Sequence, residues 1–352
     1  MVLKIGILQG DDIGLEVVPE CVKVMKAAAA KTGLAVEWQE LLTGVRAHEK
    51  LGHTWPRSTA DALFKLDGWV FGPHGHDAYP KNDPTWINPP VRKKFEMYAN
   101  VKPVKSYPNI SSVHKNVDIV FLRETTEGML TPGTVVAGSG EFRPNDDISI
   151  GMRVITRRGA SRVARAAFEI ARTRERKLVT SVHKASVYKL CCGMFAEECR
   201  KVAKEFPDVR LEEILVDGFA MKLVMNPQRF DVVVTTNQFG DILTDEGAGL
   251  VGGLGLAPGL VMGEQYAMAQ ATHGSAPDIA GKGIANPYAM IMSGKMLYEW
   301  LGRKKNEPKA LAAAQRIEAA VEKVIAEAKS LTPDLGGKAS TAQMGDAIAA
   351  LV

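Results

Sequence analysis

Apolar residues follow two different periods along this chain. Short runs rich in Val, Ile and Leu alternate with longer segments in which apolar residues recur every three or four positions, as on one face of a helix. The predicted strands are 4–9, 34–42, 68–71, 117–122, 178–182, 211–216 and 231–236. The predicted helices are 15–31, 90–99, 160–173, 186–206, 239–250, 287–301, 310–329 and 341–351. Strands separated by helices of this size predict an α/β fold with a largely parallel sheet.

Two segments rich in Pro, Gly or both, 100–108 and 252–263, interrupt this alternation. Such segments commonly connect domains, and a chain of 352 residues is long enough to form two of them. If both are crossings, one domain consists of 1–99 plus 252–352 and the other of 100–251.

Residues 131–150 carry five Gly or Pro residues among polar ones and show no helical period. We interpret this segment as an extended arm. A long surface loop is the alternative interpretation.

Composition excludes several classes of protein. The chain has 44 basic and 40 acidic residues, and a net charge of +4 does not by itself indicate a nucleic-acid partner. The basic segment 157–177 alternates with apolar positions, which predicts a solvated helix face. No apolar run approaches the roughly 20 residues needed to span a bilayer, and the N-terminus lacks the layout of a cleavable signal. The four cysteines show no CxxC spacing, which indicates reduced thiols, and we expect a cytoplasmic protein without a membrane partner.

Asp241 and Asp245 stand four residues apart in the segment NQFGDILTDEGAGLVGGLG, and on a helix they share one face. Two carboxylates this close repel one another unless a cation lies between them, and oxygen ligands of this kind suit Mg²⁺. The alternative is a solvated face near a helix N-terminus. Asp217 follows the strand 211–216, where α/β proteins place ligands, and this third carboxylate favours the metal site.

The same segment contains Gly247-Ala-Gly249-Leu-Val-Gly252, which matches the string GxGxxG. A dinucleotide fingerprint must lie in the turn directly after a strand, but the preceding strand ends near Thr236. We therefore interpret these residues as packing glycines.

Several cations stand beside predicted strand or helix ends. Lys184 follows the strand 178–182, and burial or neighbouring cations would lower its pKa enough to make it a proton acceptor. An ordinary surface lysine is the alternative. Arg92, Lys102 and Arg123 would together suit a di- or tricarboxylate, because arginine binds carboxylates bidentately, unless they are scattered surface charges.

The segment HGSAPDIAGKGIANP at 273–287 is a glycine-rich loop. Its backbone N–H groups could approach phosphates. Asp278 could accept hydrogen bonds from ribose hydroxyls and would repel a 2′-phosphate. Spacing alone indicates a functional loop without defining its purpose.

Together these segments resemble the isocitrate/isopropylmalate dehydrogenase family of β-decarboxylating dehydrogenases. The resemblance runs nearly end to end, from GDDIGLEVVPE at 10–20 to LGGKAST at 335–341. It implies two α/β domains that share a largely parallel sheet, with the cofactor domain in the two chain ends and the substrate, metal and dimerisation domain in the centre. It also implies an extended dimerisation arm near 131–157, a homodimer with shared active sites, and NAD with Mg²⁺ or Mn²⁺ as cofactors.

The resemblance assigns roles to individual residues. Asp241 and Asp245 match the metal ligands of one subunit, while Asp217 and the catalytic Lys184 match groups lent by the other. Arg92 and Arg123 match substrate-binding arginines. An acid at position 278 resembles the members that use NAD. The positions that match the cofactor site are His273, Gly274, Ser275, Ala276, Asp278 and Asn286.

This chain departs from the family at positions that surround the substrate. Lys102 replaces a third arginine, Leu130 replaces a tyrosine that assists as an acid, and Ser186 replaces an asparagine. Trp86 and Asn88 stand in the loop that selects the substrate in other members. These departures predict a site shaped for something other than isocitrate.

The resemblance implies NAD-dependent, Mg²⁺- or Mn²⁺-dependent oxidative decarboxylation of a (2R)-malate-type substrate, 3-substituted as in isopropylmalate, to a 2-keto acid and CO₂. Lys184 would take the hydroxyl proton. Malate-like, tartrate-like and isocitrate-like substrates remain open. So does oxidation without decarboxylation, because the tyrosine acid is missing. A non-catalytic regulatory subunit is the alternative from another class.

Overall fold

The computed structural model describes residues 1–80, 88–130 and 140–352. The strands within these ranges are β1 Val2–Leu8, β2 Ala35–Glu40, β3 Gly68–Phe71, β4 Ala99–Lys105, β5 Asp118–Glu124, β6 Glu141–Asn145, β7 Ile148–Gly151, β8 Leu178–His183, β9 Arg210–Leu215, β10 Val232–Thr235, β11 Leu260–Met262 and β12 Ala267–Ala269. The helices are α1 Gly14–Thr32, α2 Gly44–Leu51, α3 Arg57–Leu63, α4 Asn88–Lys94, α5 Arg157–Arg172, α6 Cys191–Ala203, α7 Val216–Met225, α8 Asn237–Val251, α9 Tyr288–Lys304, α10 Pro308–Glu327 and α11 Thr341–Leu351. Each predicted strand and helix is found, with shifted ends.

Ten of the described strands form one sheet in the order β2-β1-β3-β12-β11-β4-β5-β10-β8-β9. The pairs at both ends of this order are parallel, and the pairs that β11 makes with β12 and β4, and β4 with β5, are antiparallel. Helices α1, α9, α10 and α11 pack on one another beside the β1 half, while α5, α6 and α8 pack against the β5 half. The predicted α/β fold with a largely parallel sheet is confirmed.

Both segments predicted as crossings contribute strands to the centre of the sheet: β4 overlaps 100–108, and β11 lies at the end of 252–263. β4 contains Pro103 and two lysines, a composition that predicts a connection rather than a strand. β11 and β12 have three residues each and are too short to show a period. Helices α2, α3 and α7 were also missed, and α7 begins at Val216 directly after β9.

The strand order supports the predicted division into domains, which stays a prediction. β1, β2, β3, β11 and β12 come from the two chain ends and are contiguous in the sheet. β4, β5, β8, β9 and β10 come from the middle of the chain and form the other half.

The predicted start of the helix at 186–206 is wrong. Residues 186–190 form turns, and α6 begins only at Cys191.

Part of the predicted arm, 131–139, lies outside the described residues. Beyond it, β6 and β7 pair as a separate antiparallel hairpin whose residues are all exposed. Phe142 pairs with Ile150, and Ile148 is two residues away, so the hairpin exposes apolar side chains to solvent. No helix of the described chain has the length and apolar character that crossing a membrane requires.

Candidate active site

Helix α8 is placed at the carboxyl ends of β5 and β10, which are parallel neighbours. Residue Thr236 is extended, and the helix begins at Asn237 immediately after β10. Gly240 lets α8 approach β5 closely, because a Cβ at this position would lie 2.7 Å from Cβ of Arg123. The glycines that match GxGxxG lie in the last turns of α8 and at its C-terminal end, not in a turn after a strand, in agreement with their interpretation as packing glycines. A Cβ at Gly247 would lie 3.1 Å from the Phe121 ring, so Gly247 packs against the sheet as expected.

Arg123, near the end of β5, connects the sheet to the start of α8. Its side chain is buried, and Nε donates a hydrogen bond to Oδ1 of Asn237 at 2.8 Å. Nη1 forms an ion pair with Oδ1 of Asp241. Burial lowers the pKa of Arg123, and the charge of Asp241 opposes that effect. Nδ2 of Asn237 donates in turn to the carbonyl oxygen of Glu127 at 2.8 Å, which orients the amide.

Lys102, on β4, lies beside the next turn of the same helix. Nζ donates to Oγ1 of Thr244 at 2.9 Å and is 3.9 Å from Oδ1 of Asp245. Only 5% of Lys102 is exposed, and burial, reinforced by the charge of Arg123, lowers its pKa to about 7. Burial raises the pKa of Asp245, and Asp241 adds to that increase. Lys102, which stands where other family members have an arginine, therefore lies beside Asp245.

Arg92, on α4, completes the group of cations. Its Nη2 donates to Oε1 of Gln270 at 3.0 Å, just beyond β12. Burial lowers the pKa of Arg92, the charge of Arg123 lowers it further, and Asp241 opposes both. Arg92, Lys102 and Arg123 thus come from three separate elements: Arg123 and Lys102 pair with Asp241 and Asp245, and Arg92 is close enough for its pKa to respond to the charges of Arg123 and Asp241. We call these five residues the cation–aspartate cluster.

Lys184 and Asp217 form a second cluster on another side of α8. Lys184 follows β8, and its Nζ donates to Oδ1 of Asp217 at 2.7 Å in the first turn of α7. This contact lowers the pKa of Asp217. Both residues line a cleft of about 400 Å³, which also contains Tyr188, Phe239, Ile242 and Glu246. Among the described residues, no three acidic, His or Cys side chains lie close enough to hold one metal ion.

The predicted cofactor loop packs against the start of α1. The amide of Ile13 donates to the carbonyl oxygen of Ser275 at 3.1 Å, and the amide of Gly281 donates to Glu16 at 2.6 Å. Nδ1 of His273 lies 3.0 Å from the carbonyl oxygen of Gly274. Nε2 of the same ring is buried without a hydrogen-bond partner in the described structure.

The remaining residues of this loop fall into an anchored and an exposed group. Nδ2 of Asn286 donates to Asp334 at 2.9 Å, and Asn286 is buried. Ala276 has a φ of 45°, in the left-handed region, so the backbone turns sharply there. Gly274 and Asp278 are exposed, which leaves the backbone and the carboxylate free to meet a ligand.

The residues predicted to select the substrate are described only in part. Trp86 lies outside the described residues, and so does the side chain of Asn88, whose backbone begins α4. Leu130 is 37% exposed and is the last described residue before the arm. Ser186 is exposed in the turn after Lys184.

Sequence reasoning missed a buried carboxylate beside the cofactor loop. Asp11 accepts hydrogen bonds from the amide of Val45 at 2.8 Å, the amide of Gly75 at 3.0 Å and the hydroxyl of Tyr79 at 2.7 Å. It therefore fixes the loops that follow β1 and β3 and the start of α2. The signal was present, since Asp11 comes three residues after a buried parallel strand, where α/β proteins place functional groups.

A second missed feature is a pair of buried glutamates at the turn after β5. Glu127 accepts hydrogen bonds from the amide and hydroxyl of Thr156, at 2.9 and 2.7 Å, and so anchors the start of α5. Glu124 accepts from the amides of Thr126 and Glu127. Burial, followed by the charge of Glu124, raises the pKa of Glu127 to about 7.

This glutamate pair predicts a pH dependence of stability. An unfolded glutamate titrates near about 4.3, so Glu127 stabilises the fold below that pH and loses this contribution as the pH rises through 7. Between about pH 5 and pH 8 we expect the free energy of unfolding of Glu127→Gln to gain roughly 3 kcal/mol relative to the parent chain. Urea unfolding of both proteins across this range measures the difference. A difference that stays constant with pH contradicts the prediction.

Comparison with known proteins places these observations in context. A family model described as isocitrate/isopropylmalate dehydrogenase matches residues 4–348. An isocitrate/homoisocitrate dehydrogenase of Thermus thermophilus is 41% identical, covering 99% of this chain and 98% of the relative. A 3-isopropylmalate dehydrogenase of Archaeoglobus fulgidus is 40% identical and covers 99% of both chains. The crystal structure of isocitrate dehydrogenase from Methylococcus capsulatus superposes with a TM-score of 0.87 at 41% identity, covering 99% of this chain and 98% of that one.

Proposed function

The chain belongs to the isocitrate/isopropylmalate dehydrogenase family, a family of decarboxylating hydroxy-acid dehydrogenases, and from that premise we propose its reaction. We propose that it oxidises a (2R)-malate-type substrate with NAD and Mg²⁺ or Mn²⁺, and releases CO₂ and a 2-keto acid. We further propose a 3-substituted substrate, as in isopropylmalate. The observation that carries the proposal is the cation–aspartate cluster, in which three buried or half-buried cations meet two carboxylates.

The cations of this cluster suit a substrate with two carboxylates. Arg92 and Arg123 offer planar forks that bind a carboxylate bidentately, whereas Lys102 offers a single point charge. Their burial strengthens this attraction, because a low local dielectric weakens screening by water. The three cations exceed the two aspartates by one positive charge, and a bound divalent metal ion would raise this excess to three, which favours an anionic ligand.

The aspartates of the cluster fit a hard divalent cation. Asp241 and Asp245 present carboxylate oxygens from successive turns of α8, the ligand type that Mg²⁺ and Mn²⁺ prefer. We propose that these residues hold the metal together with Asp217 of a second subunit. When bound, the metal would make the substrate hydroxyl more acidic and would stabilise the negative charge of the enolate.

Lys184 is the proposed acceptor of the hydroxyl proton. It stands at the carboxyl end of β8 and is held by Asp217, so its amine has a defined position at the mouth of the cleft. A positioned base of this kind contributes typically about 10²- to 10⁴-fold to the rate.

We propose a homodimer in which each active site combines both clusters. Within one chain, Lys184 and Asp217 lie on a different side of α8 from Asp241 and Asp245, so one subunit does not assemble the whole set. The surface around the cleft exposes large apolar side chains, and exposed apolar patches of this kind commonly mark interfaces. These side chains are Val187, Tyr188, Leu190, Met221, Val224, Met225 and Ile242.

The loop at 273–286 suits NAD. Nε2 of His273 is a buried polar atom that lacks a partner among the described residues, and a bound nucleotide would supply one. Asp278 presents an exposed carboxylate, which accepts hydrogen bonds from a ribose diol and repels a 2′-phosphate. We therefore propose NAD rather than NADP as the cofactor.

A substrate panel tests the function. The purified chain is incubated with Mn²⁺ and either NAD or NADP, and with isopropylmalate, (2R)-malate, tartrate, isocitrate or homoisocitrate, while reduced cofactor and CO₂ are both measured. We expect NADH and CO₂ in a ratio of about one, with isopropylmalate or another 3-substituted malate as the preferred substrate. A CO₂-to-NADH ratio near zero would indicate oxidation without decarboxylation. No reduced cofactor from any substrate would overturn the proposal and favour a regulatory subunit.

A further inference from the structure

Arg153 lies between the β6–β7 hairpin and α5 in sequence, and its guanidinium contacts two aromatic rings. The guanidinium carbon is 4.9 Å from the centre of the Tyr188 ring and 4.7 Å from the centre of the Phe239 ring. Nη2 also donates a hydrogen bond to Oγ1 of Thr236 at 3.1 Å. The side chain is half-buried, so these contacts are partly shielded from water.

The first ring belongs to the turn that starts at the proposed proton acceptor. The amide of Tyr188 donates to the carbonyl oxygen of Lys184 at 2.9 Å, and the carbonyl oxygen of Tyr188 accepts from the amide of Cys192 at 3.0 Å. Sγ of Cys191 also contacts the carbonyl oxygen of Arg153 at 3.7 Å. Holding the Tyr188 ring therefore holds the backbone that begins at Lys184.

The second ring belongs to the helix that carries the aspartates of the cation–aspartate cluster. Phe239 stands two residues before Asp241, and Thr236 precedes the first residue of α8. One guanidinium thus contacts the turn of Lys184 and the first turn of α8 at the same time. Tyr188 and the first residue of α8 are 49 positions apart in the sequence. Hydrogen bonds within either element therefore do not fix the distance between them.

Arginine suits this position better than lysine does. A guanidinium is planar and can stack on an aromatic ring with each face, while its N–H groups still donate in the plane. Lysine keeps the charge but concentrates it on one strongly hydrated ammonium group. A neutral side chain of similar length keeps the bulk and loses both interactions.

We propose that Arg153 is a positioning residue that holds the turn of Lys184 against its own chain, so that the proposed dimer presents Lys184 correctly to the cation–aspartate cluster of the second subunit. It acts through Tyr188 and Phe239 and does not touch the substrate. This inference rests on the proposed function, because Lys184 matters only as the proton acceptor of that reaction. Misplacement of a reacting group by about 1 Å costs on the order of 100-fold in rate, so a modest displacement of the turn has a large effect.

The main test compares Arg153→Met and Arg153→Lys with the parent enzyme. We expect kcat to fall about 10- to 100-fold in Arg153→Met, with the lysine variant in between. KM for the malate should stay within about 2-fold, because the substrate-binding cations are not altered. Arg172→Met is the matched control, since Arg172 stacks on Phe206 at 4.9 Å on the outer face of α5. We expect the control to keep its kcat.

Substitutions of Tyr188 test whether Arg153 influences kcat through the Tyr188 ring. Tyr188→Phe keeps the aromatic face and should lose less of the parental kcat than Tyr188→Leu, which should lower kcat as Arg153→Met does. The double variant Arg153→Met/Tyr188→Leu should be no slower than the worse single variant, because both remove the same contact. Unchanged kcat in Arg153→Met, or fully multiplied losses in the double variant, would overturn the proposal.

Amide hydrogen exchange separates this inference from the proposed function. Arg153→Met should increase exchange in the turn at 184–192 and leave α10 unchanged, whether or not the enzyme turns over. If the parent chain reduces no cofactor but exchange at 184–192 still increases in Arg153→Met, the proposed function is wrong and Arg153 does hold this turn. If the parent chain is active and neither kcat nor exchange changes, the positioning role is wrong.

Discussion

Replacing Lys184 with methionine is expected to lower kcat for NADH formation by about 1,000-fold. Methionine keeps an unbranched side chain of similar length but cannot accept a proton, so the hydroxyl would have to lose its proton to water. The cations proposed to bind the substrate lie elsewhere, and KM should therefore change little. Steady-state kinetics with saturating NAD and Mn²⁺ measure both parameters.

Lys189 provides the matched control for this substitution. It lies in the same turn and is exposed, so Lys189→Met removes one positive charge from the same neighbourhood without removing the proposed base. We expect kcat of this variant to stay within about 2-fold of the parent value. A Lys184→Met enzyme that keeps more than a tenth of the parental kcat would show that another group accepts the proton.

The second large effect is expected from Asp241→Asn, which should abolish metal-dependent turnover, with a loss of about 1,000-fold or more. The substitution removes the negative charge of one proposed metal ligand, and it also leaves Arg123 without its carboxylate partner. Because unpairing a buried charge also costs stability, kinetics alone would be ambiguous. Titration with Mn²⁺ followed by calorimetry measures metal binding directly, and the melting temperature reports the fold.

Asp346→Asn is the control for the aspartate substitution. Asp346 is an exposed carboxylate that pairs with Lys23 on α1 and lies outside the cation–aspartate cluster. The control should bind Mn²⁺ and turn over like the parent enzyme. An Asp241→Asn protein that is folded and binds Mn²⁺ with parental affinity would contradict the metal assignment.

The two inactive variants together test the shared active site. Lys184→Met and Asp241→Asn chains are unfolded, mixed and refolded, which produces mixed dimers. In such a dimer one site carries both substitutions and the other carries neither. Random pairing should therefore restore about a quarter of the parental activity, because about half the dimers are mixed and each contributes one intact site. No recovery in refolded dimers would place both clusters of each site in a single chain.

The buried strands and the aspartate helix were predictable from local sequence. Runs such as Val232-Val-Val in β10 are apolar and β-branched, and they form strands that are buried on both faces. The spacing of Asp241 and Asp245 predicted a shared face of α8, since a helix repeats every 3.6 residues. What the spacing did not predict is their partners, because Lys102 and Arg123 reach them from β4 and β5 only after the sheet has formed.

The features that escaped prediction depend on contacts between distant segments. β4 contains Pro103, and its neighbours β5 and β11 still pair with it, so tertiary pairing overrides a poor local propensity. Arg153 contacts the Tyr188 and Phe239 rings, and the three segments that carry these residues show no shared pattern in the sequence. Asp11 could have been singled out by its place after β1, but its three hydrogen-bond donors could not.

The position of β12 determines when the sheet can be completed during synthesis. β12 at 267–269 pairs with β3 at 68–71, although the paired residues Met268 and Trp69 are 199 positions apart in the sequence. At ordinary translation speeds of about 5–20 residues per second, β3 waits on the order of ten seconds or more for its neighbour. During that interval the nascent chain exposes an apolar strand edge of the kind that templates aggregation. The first half of this chain is therefore most exposed to aggregation before the second half has been synthesised.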